Sequence, residues 1–254
     1  MTNIYRILSG FIIIIMLNAC GGDDPLPLAI ANFFSDPNIV EVGVPVMFDN
    51  LSTNASRYEW EFGDSLNTSI EISPTVTFQN AGTFTVTLRA FTEDEQMAEV
   101  TKDVRVRERV LTGYFVNVFP ISNGGEAWDP GLAGDEQFAD IFVQLTPNDP
   151  NNTSGLADGI FGNVPVGPFG NVVDSQTSRI VLTDEDWSFV MFDFDGDDPQ
   201  DINQDNVEFM TGVQFNPIQS GTVKNEAGDS GFITVLLVDS EGNVFDVDFS
   251  FDLD

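Results

Sequence analysis

The 254-residue sequence predicts an all-β protein, two β-sandwiches in tandem behind an amino-terminal targeting segment. Three observations carry this. The candidate strands are short, rich in Val, Ile, Thr and Phe, and bounded by Gly, Pro, Asn or Asp. No long stretch keeps a helical hydrophobic period. Hydrophobic residues make up 42% of the chain and Phe alone numbers 23, which suits folded cores rather than a disordered acidic tract.

Charge restricts the chemistry. Lys and Arg total 9 against 41 Asp and Glu, a formal net charge of -32, and there is no histidine. Such a surface repels nucleic acid and anionic lipid headgroups, because both are bound chiefly through Lys and Arg. The missing histidines exclude Ser/His/Asp and Cys/His catalysis and remove the commonest ligand for zinc, copper and non-haem iron. Oxygen-ligated cations remain open, calcium above all.

At the amino terminus, Arg6 precedes an apolar run from Ile7 to Leu17, too short for a membrane span and suited to a signal-peptide core. The run ends in Leu17-Asn18-Ala19-Cys20, which resembles the lipobox of bacterial lipoproteins; Cys20 is the only cysteine, so internal disulfides are excluded. The resemblance implies removal of residues 1–19 and lipidation of Cys20, with membrane contact only through that anchor. Residues 20–27 read as anchor and linker. Within them Gly21-Gly22-Asp23-Asp24 resembles the acidic segment that sends some Gram-negative lipoproteins to the surface, so the expected location is the outer membrane or cell surface.

Residues 28–109 form the first sandwich, with period-two stretches at Val44 to Phe48, Tyr58 to Phe62, Thr83 to Ala90 and Glu99 to Val106. Alternation puts Trp60 and Phe62 on the buried face, Gly63 permits the turn that ends the strand, and Asp64 can bond turn amides. Tyr58-Glu59-Trp60-Glu61-Phe62-Gly63-Asp64 is similar to the WxFGD motif of the PKD (polycystic kidney disease) domain. Ala81-Gly82-Thr83-Phe84-Thr85-Val86-Thr87-Leu88 resembles that family's later GxYxVxL strand, and Val46 to Ser52 and Pro74 to Phe78 fill its two intermediate signatures. The resemblance implies an immunoglobulin-like spacer or interaction module of extracellular proteins, without chemistry of its own.

Residues 110–254 hold only Arg179 and Lys224 against 26 acids, a formal charge of -24. Strands are expected at Leu111 to Phe119, Phe138 to Leu145, Arg179 to Leu182, Trp187 to Phe194, Val207 to Phe215, Phe232 to Val238 and Val244 to Phe251. Asp239 to Asn243 reads as a hairpin turn. The Gly, Pro and Asn-rich stretch 146–178 is long for a loop, and an irregular strand near Gly170 to Val173 is expected to interrupt it.

The metal chemistry concentrates in Asp193 to Asp201, five carboxylates in nine residues directly after an apolar strand. Acids at i and i+2 on a strand end project to one side, and a turn returning to Asp201 aims a third at the same point. Calcium takes six to eight oxygens and tolerates irregular geometry, whereas magnesium demands a tight octahedron. An EF-hand loop is excluded, since Asp198 and Gln204 stand where it needs Gly and Glu and a strand precedes it. Asp193, Asp195 and Asp201 resemble the DxDxxxxxD loop of calcium-binding C2 domains, which are eight-stranded sandwiches. That resemblance implies ligation also by Asp129 and Asp140 from a second loop. These two stand eleven positions apart, wider than in that family, so Asp135 and Asp198 are kept as substitutes. The 196–200 loop lacks an apolar tip, so lipid docking is not expected and the ion is read as structural or adhesive.

The chain is therefore expected to be a non-catalytic surface lipoprotein whose second sandwich, calcium-bound, meets an extracellular polysaccharide or protein. One alternative is a glycoside hydrolase or lyase, or its accessory protein, working through a carboxylate pair. The other is a carbohydrate-binding module with Trp128 and Trp187 stacked on sugars. Trp187 opens an apolar strand and reads as core, and Trp128 reads as a cap on the sandwich end.

Overall fold

A computed structural model describes residues 27–64, 67–120, 122, 125–128, 138–152, 155–162, 164, 168–172, 179–195, 207–238 and 243–254. The signal-peptide and lipidation readings, Cys20 included, lie outside the described residues. Two β-sandwiches follow one another along the chain.

In the first, β1 (Phe33–Asp36), β3 (Pro45–Asn50) and β6 (Thr75–Thr77) form one sheet in the order β1-β3-β6. The other sheet is ordered β2-β8-β7-β4-β5, from β2 (Val40–Glu41), β8 (Met97–Arg107), β7 (Gly82–Phe91), β4 (Arg57–Glu61) and β5 (Thr68–Ser69). Alternation sends Val46 and Phe48 inward from β3 and Trp60 from β4, where they meet Phe33, Phe62 and Phe78. Trp60 is 1% exposed, its ring stands 5.2 Å from Phe33, and its indole N–H donates to the Glu71 carbonyl at 2.9 Å. It is a core residue, as the alternation requires.

Gly63 has φ +75, and a Cβ there would stand 2.7 Å from the Thr85 carbonyl oxygen. Only glycine permits both that conformation and that approach of two backbones. Beyond it, Asp64 Oδ1 accepts from the Asn67 N–H at 2.9 Å, the turn bond the motif anticipates.

Glu108 alone separates the last strand of the first sandwich from the first strand of the second. Its larger sheet is ordered β12-β9-β17-β16-β15, from β9 (Arg109–Val118), β12 (Phe169–Val172), β15 (Thr222–Lys224), β16 (Ser230–Val238) and β17 (Val244–Leu253). The smaller is ordered β11-β10-β13-β14, from β10 (Ile141–Pro147), β11 (Leu156–Phe161), β13 (Trp187–Phe194) and β14 (Val207–Phe215). Phe189 lies at the centre, 5.6 Å from Tyr114, 6.0 Å from Phe245 and 5.2 Å from Phe249.

The stretch 146–178 contains two edge strands, β11 and β12, where one irregular strand was expected. β12 approaches β9 so closely that a Cβ at Gly170 would sit 2.4 Å from the Tyr114 carbonyl oxygen. Arg179 to Leu182, expected as a strand, is corrected to a single bridge between Val181 and Val110. Its pairing stops because the Glu185 N–H turns back onto the Thr183 carbonyl at 2.9 Å, just before β13 starts.

A buried charge network fixes the joint between the sandwiches. Glu41 on β2 accepts from Arg109 Nε at 2.6 Å and from Lys224 Nζ at 2.8 Å. Arg109 also donates to the Pro217 carbonyl and to Thr222 Oγ1, and its guanidinium lies 4.2 Å from the Phe251 ring centre. The Glu108 N–H bonds the Asp254 carbonyl at 3.0 Å and the Asp254 N–H returns the bond at 3.0 Å. Ile39 of the first domain packs against the core of the second.

Candidate metal centre

The joint gives the second sandwich a near pole and a far pole. Leu182 bonds Arg109 at the near pole, and β13 starts there at Trp187, paired with Pro147 and Phe215. Six residue steps at about 3.3 Å carry β13 roughly 20 Å outward to Asp193. The far ends of β9 and β17 meet at Val118 and Asp246, on the same side.

Along β13 the inward positions are Trp187, Phe189, Met191 and then Asp193, each 0% exposed. An apolar face thus ends in a buried carboxylate. Asp193 Oδ1 accepts the backbone N–H of Asp140 at 2.8 Å, across 53 positions of sequence. The Phe194 N–H donates in turn to the Asp140 carbonyl at 2.9 Å, and Ile141 stands opposite Asp193 in the β10–β13 register. Two of the expected ligand residues, one from each acidic segment, therefore meet at the far pole. Asp140 Oδ1 lies 3.7 Å from where a Cβ on Gly162 would stand, so the end of β11 borders the same place.

Asp195 lies just beyond β13 and is exposed, while Asp193 is inside. The expected common direction of the two at i and i+2 is not reflected in their burial. Phe194 between them is itself buried, so the alternation is lost at the strand end.

Asp129, Asp135, Asp198 and Asp201 lie outside the described residues. The described residues flanking their segments stand at the far pole. Trp128 donates its indole N–H to the Pro120 carbonyl at 3.2 Å, two residues past the end of β9, and Ala139 is buried beside Asp140. Phe194 and Val207, on either side of 196–206, pair with each other. Among the described residues no three acid or cysteine side chains converge on one point.

The electrostatics of the two poles are opposite. Beyond Arg109 at the joint, Arg179 and Lys224 are the domain's only bases. Arg179 bonds Glu108 at 2.8 Å and reaches Asp254 at 3.5 Å, while Lys224 bonds Glu41, all at the near pole. Hydrogen bonds that the Arg179 guanidinium donates to Glu108 and then to Asp254 hold it above its ordinary pKa, against the opposing effect of burial. Nothing cationic of this domain is left for the far pole. A buried carboxylate in low dielectric needs a counter-charge or a proton, and the hard oxygen donors there suit calcium.

Both tryptophans that could have served as sugar platforms are interior, Trp128 at 6% exposure and Trp187 at 0%. Sequence reasoning missed the Glu41–Arg109–Lys224 network; its one signal was an acid inside the apolar run Ile39-Val40-Glu41-Val42.

The family model of the PKD domain matches residues 30–107. No curated protein matches the chain. Among solved structures, the chain is similar to the PKD1 domain of Vibrio anguillarum Epp, with 25% identity, TM-score 0.28, and coverage of 32% of this chain and 94% of that one. It is likewise similar to the PKD1 domain of the Vibrio cholerae metalloprotease PrtV, with 27% identity, TM-score 0.28, and coverage of 32% and 98%. A third likeness, at 14% identity and TM-score 0.31, covers 91% of this chain and 99% of a structure described under the promiscuous specificity of carbohydrate-binding modules from the β-sandwich superfamily. The first sandwich, with its WxFGD-like strand and turn, is a PKD domain.

Proposed function

We propose that this protein is a non-catalytic surface lipoprotein in which the PKD domain holds the second sandwich away from the membrane and calcium binds at the far pole. The anchor is lipidated Cys20, and the partner is an extracellular polysaccharide or protein. The observation that carries the metal reading is the 0% exposed Asp193 carboxylate, bonded to the Asp140 backbone in a pole whose domain keeps Arg109, Arg179 and Lys224 at the opposite end. Asp193, Asp140 and Asp195, joined by Asp129 and Asp201 from the adjoining segments, are the proposed ligands, with Asp135 or Asp198 as substitutes. The joint supports a display role, since a buried charge network makes the spacer and the sandwich one continuous unit.

Calorimetric titration of the full chain with calcium tests this. Heat of binding that Asp195→Asn weakens and Asp193→Asn abolishes is the expected result. Absence of binding at millimolar calcium would sink the metal reading and leave the PKD assignment intact.

A further inference from the structure

The outward face of the smaller sheet carries a row of aromatic rings. Phe142 on β10 stands opposite Phe192 on β13, and Phe192 opposite Phe209 on β14. Ring centres are 6.3 Å apart in each pair, tilted by 38° and then 78°. Phe209 is 61% exposed and the other two are half-buried. Gly212 keeps a gap open beside the row, since a Cβ there would stand 3.3 Å from Val190 Cγ2 and 3.6 Å from Phe209 Cε2.

Towards the near pole the same face turns polar without becoming charged. Gln214 Nε2 donates to Ser188 Oγ at 3.4 Å, which donates to Asn148 Oδ1 at 3.0 Å, and Gln144 lies between Phe142 and Thr146 on β10. From Ser188 to Phe192 is about 13 Å along the strand, and three strands span about 10 Å across. This neutral area sits in a domain of formal charge -24, with acids at Glu208 on one side and Asp149 and Glu185 on the other.

We propose that this face binds a single chain of neutral polysaccharide; the proposal names the ligand of the glycan reading above and rests on it. Aromatic rings offer apolar faces to the C–H surfaces of sugar rings, and the neighbouring amides and hydroxyls can exchange hydrogen bonds with sugar hydroxyls. Polyanions are repelled by the acidic rim and find no Lys or Arg on the face. Polycations would be drawn to the carboxylates rather than to the rings. Ring planes that differ by 38° and then 78° along the row cannot all lie flat against one plane, which suits a single chain and not a flat crystalline surface.

Native electrophoresis of the full chain through gels containing starch, mannan, xylan, laminarin or hydroxyethylcellulose tests it, with dextran sulfate as the polyanion. Expected is retardation by at least one neutral polysaccharide and none by dextran sulfate. Phe209→Ala should weaken binding at least about tenfold, the loss typical of an aromatic anchor, while Phe209→Trp retains it. Because Phe209 is mostly exposed, its loss should leave folding intact; Phe192→Ala provides the second reading. No retardation by any neutral polysaccharide, equal retardation by dextran sulfate, or retardation untouched by both alanine variants would each overturn the proposal. Retardation abolished by Phe209→Ala supports it with calcium or with chelator in the gel, so failure of the metal centre and failure of this face are read separately.

Discussion

Replacing Glu41 with Ala should destabilise the whole chain, because the variant strands a buried guanidinium between the two domains. The Arg109 and Glu41 side chains are 2% and 1% exposed. Removing one partner of such a pair typically costs about 3 to 5 kcal/mol, since the survivor stays buried without its counter-charge. Arg109 keeps the Pro217 carbonyl, Thr222 and the Phe251 ring face, which places the loss near the low end, at about 3 kcal/mol. For a chain of this size that corresponds to a fall in Tm of roughly 6 to 12 °C. Calorimetry gives the size of the shift, and tryptophan fluorescence helps locate it, because Trp60 reports the first core and Trp128 and Trp187 the second. High salt should barely change the difference, as buried pairs are weakly screened. Glu41→Leu combined with Arg109→Met should recover much of the loss. A Tm within about 2 °C of the parent, equivalent to under 1 kcal/mol, would refute the buried-network account of the joint.

Three further outcomes follow from other parts of the molecule. Gly63→Ala should cost about 2 to 3 kcal/mol in denaturant unfolding, because the φ of +75 and the 2.7 Å approach to Thr85 both exclude a side chain. Asp94 is held below the ordinary aspartate pKa first by the Thr92 hydroxyl and then by the Gln96 amide. The unfolded state therefore binds the proton more readily, so this support is present above the ordinary Asp range and lost as pH falls through it and below; the stability gap between wild type and Asp94→Asn should close in acid. Cys20→Ser should move the protein from the detergent phase to the aqueous phase in a partitioning assay, and an unchanged distribution would contradict the anchor.

The inner strands were legible because burial enforces alternation. Val46 and Phe48, Trp60 and Phe62, and the run from Trp187 to Phe194 each announce a strand and its inward face, and β4, β13, β14 and β17 lie where the pattern puts them. The edge strands β11 and β12 were hidden in Gly, Pro and Asn, since an edge needs less side-chain packing than a centre. Arg179 to Leu182 carried strand residues yet made one bridge, because the Thr183–Glu185 turn closes at once.

Within the site, the resemblance to C2 domains implied that the segments of Asp140 and Asp193 come together, and the Asp140 N–H does bond Asp193 Oδ1. The outward position of Asp195 was not anticipated, because the alternation that carries Trp187, Phe189, Met191 and Asp193 inward breaks at the buried Phe194. Glu41 was not singled out from sequence, because the partners that hold it buried stand 68 and 183 positions away.

Thermal unfolding of the full chain in millimolar calcium, and again in chelator, weighs the account most directly. Saturation at a hundred times the dissociation constant adds about 2.7 kcal/mol, which for this chain is a rise in Tm of roughly 5 to 11 °C. That rise should disappear in Asp193→Asn and be smaller with magnesium. Identical melting in calcium and chelator would mean that Asp193 is buried at the far pole without a metal to balance it.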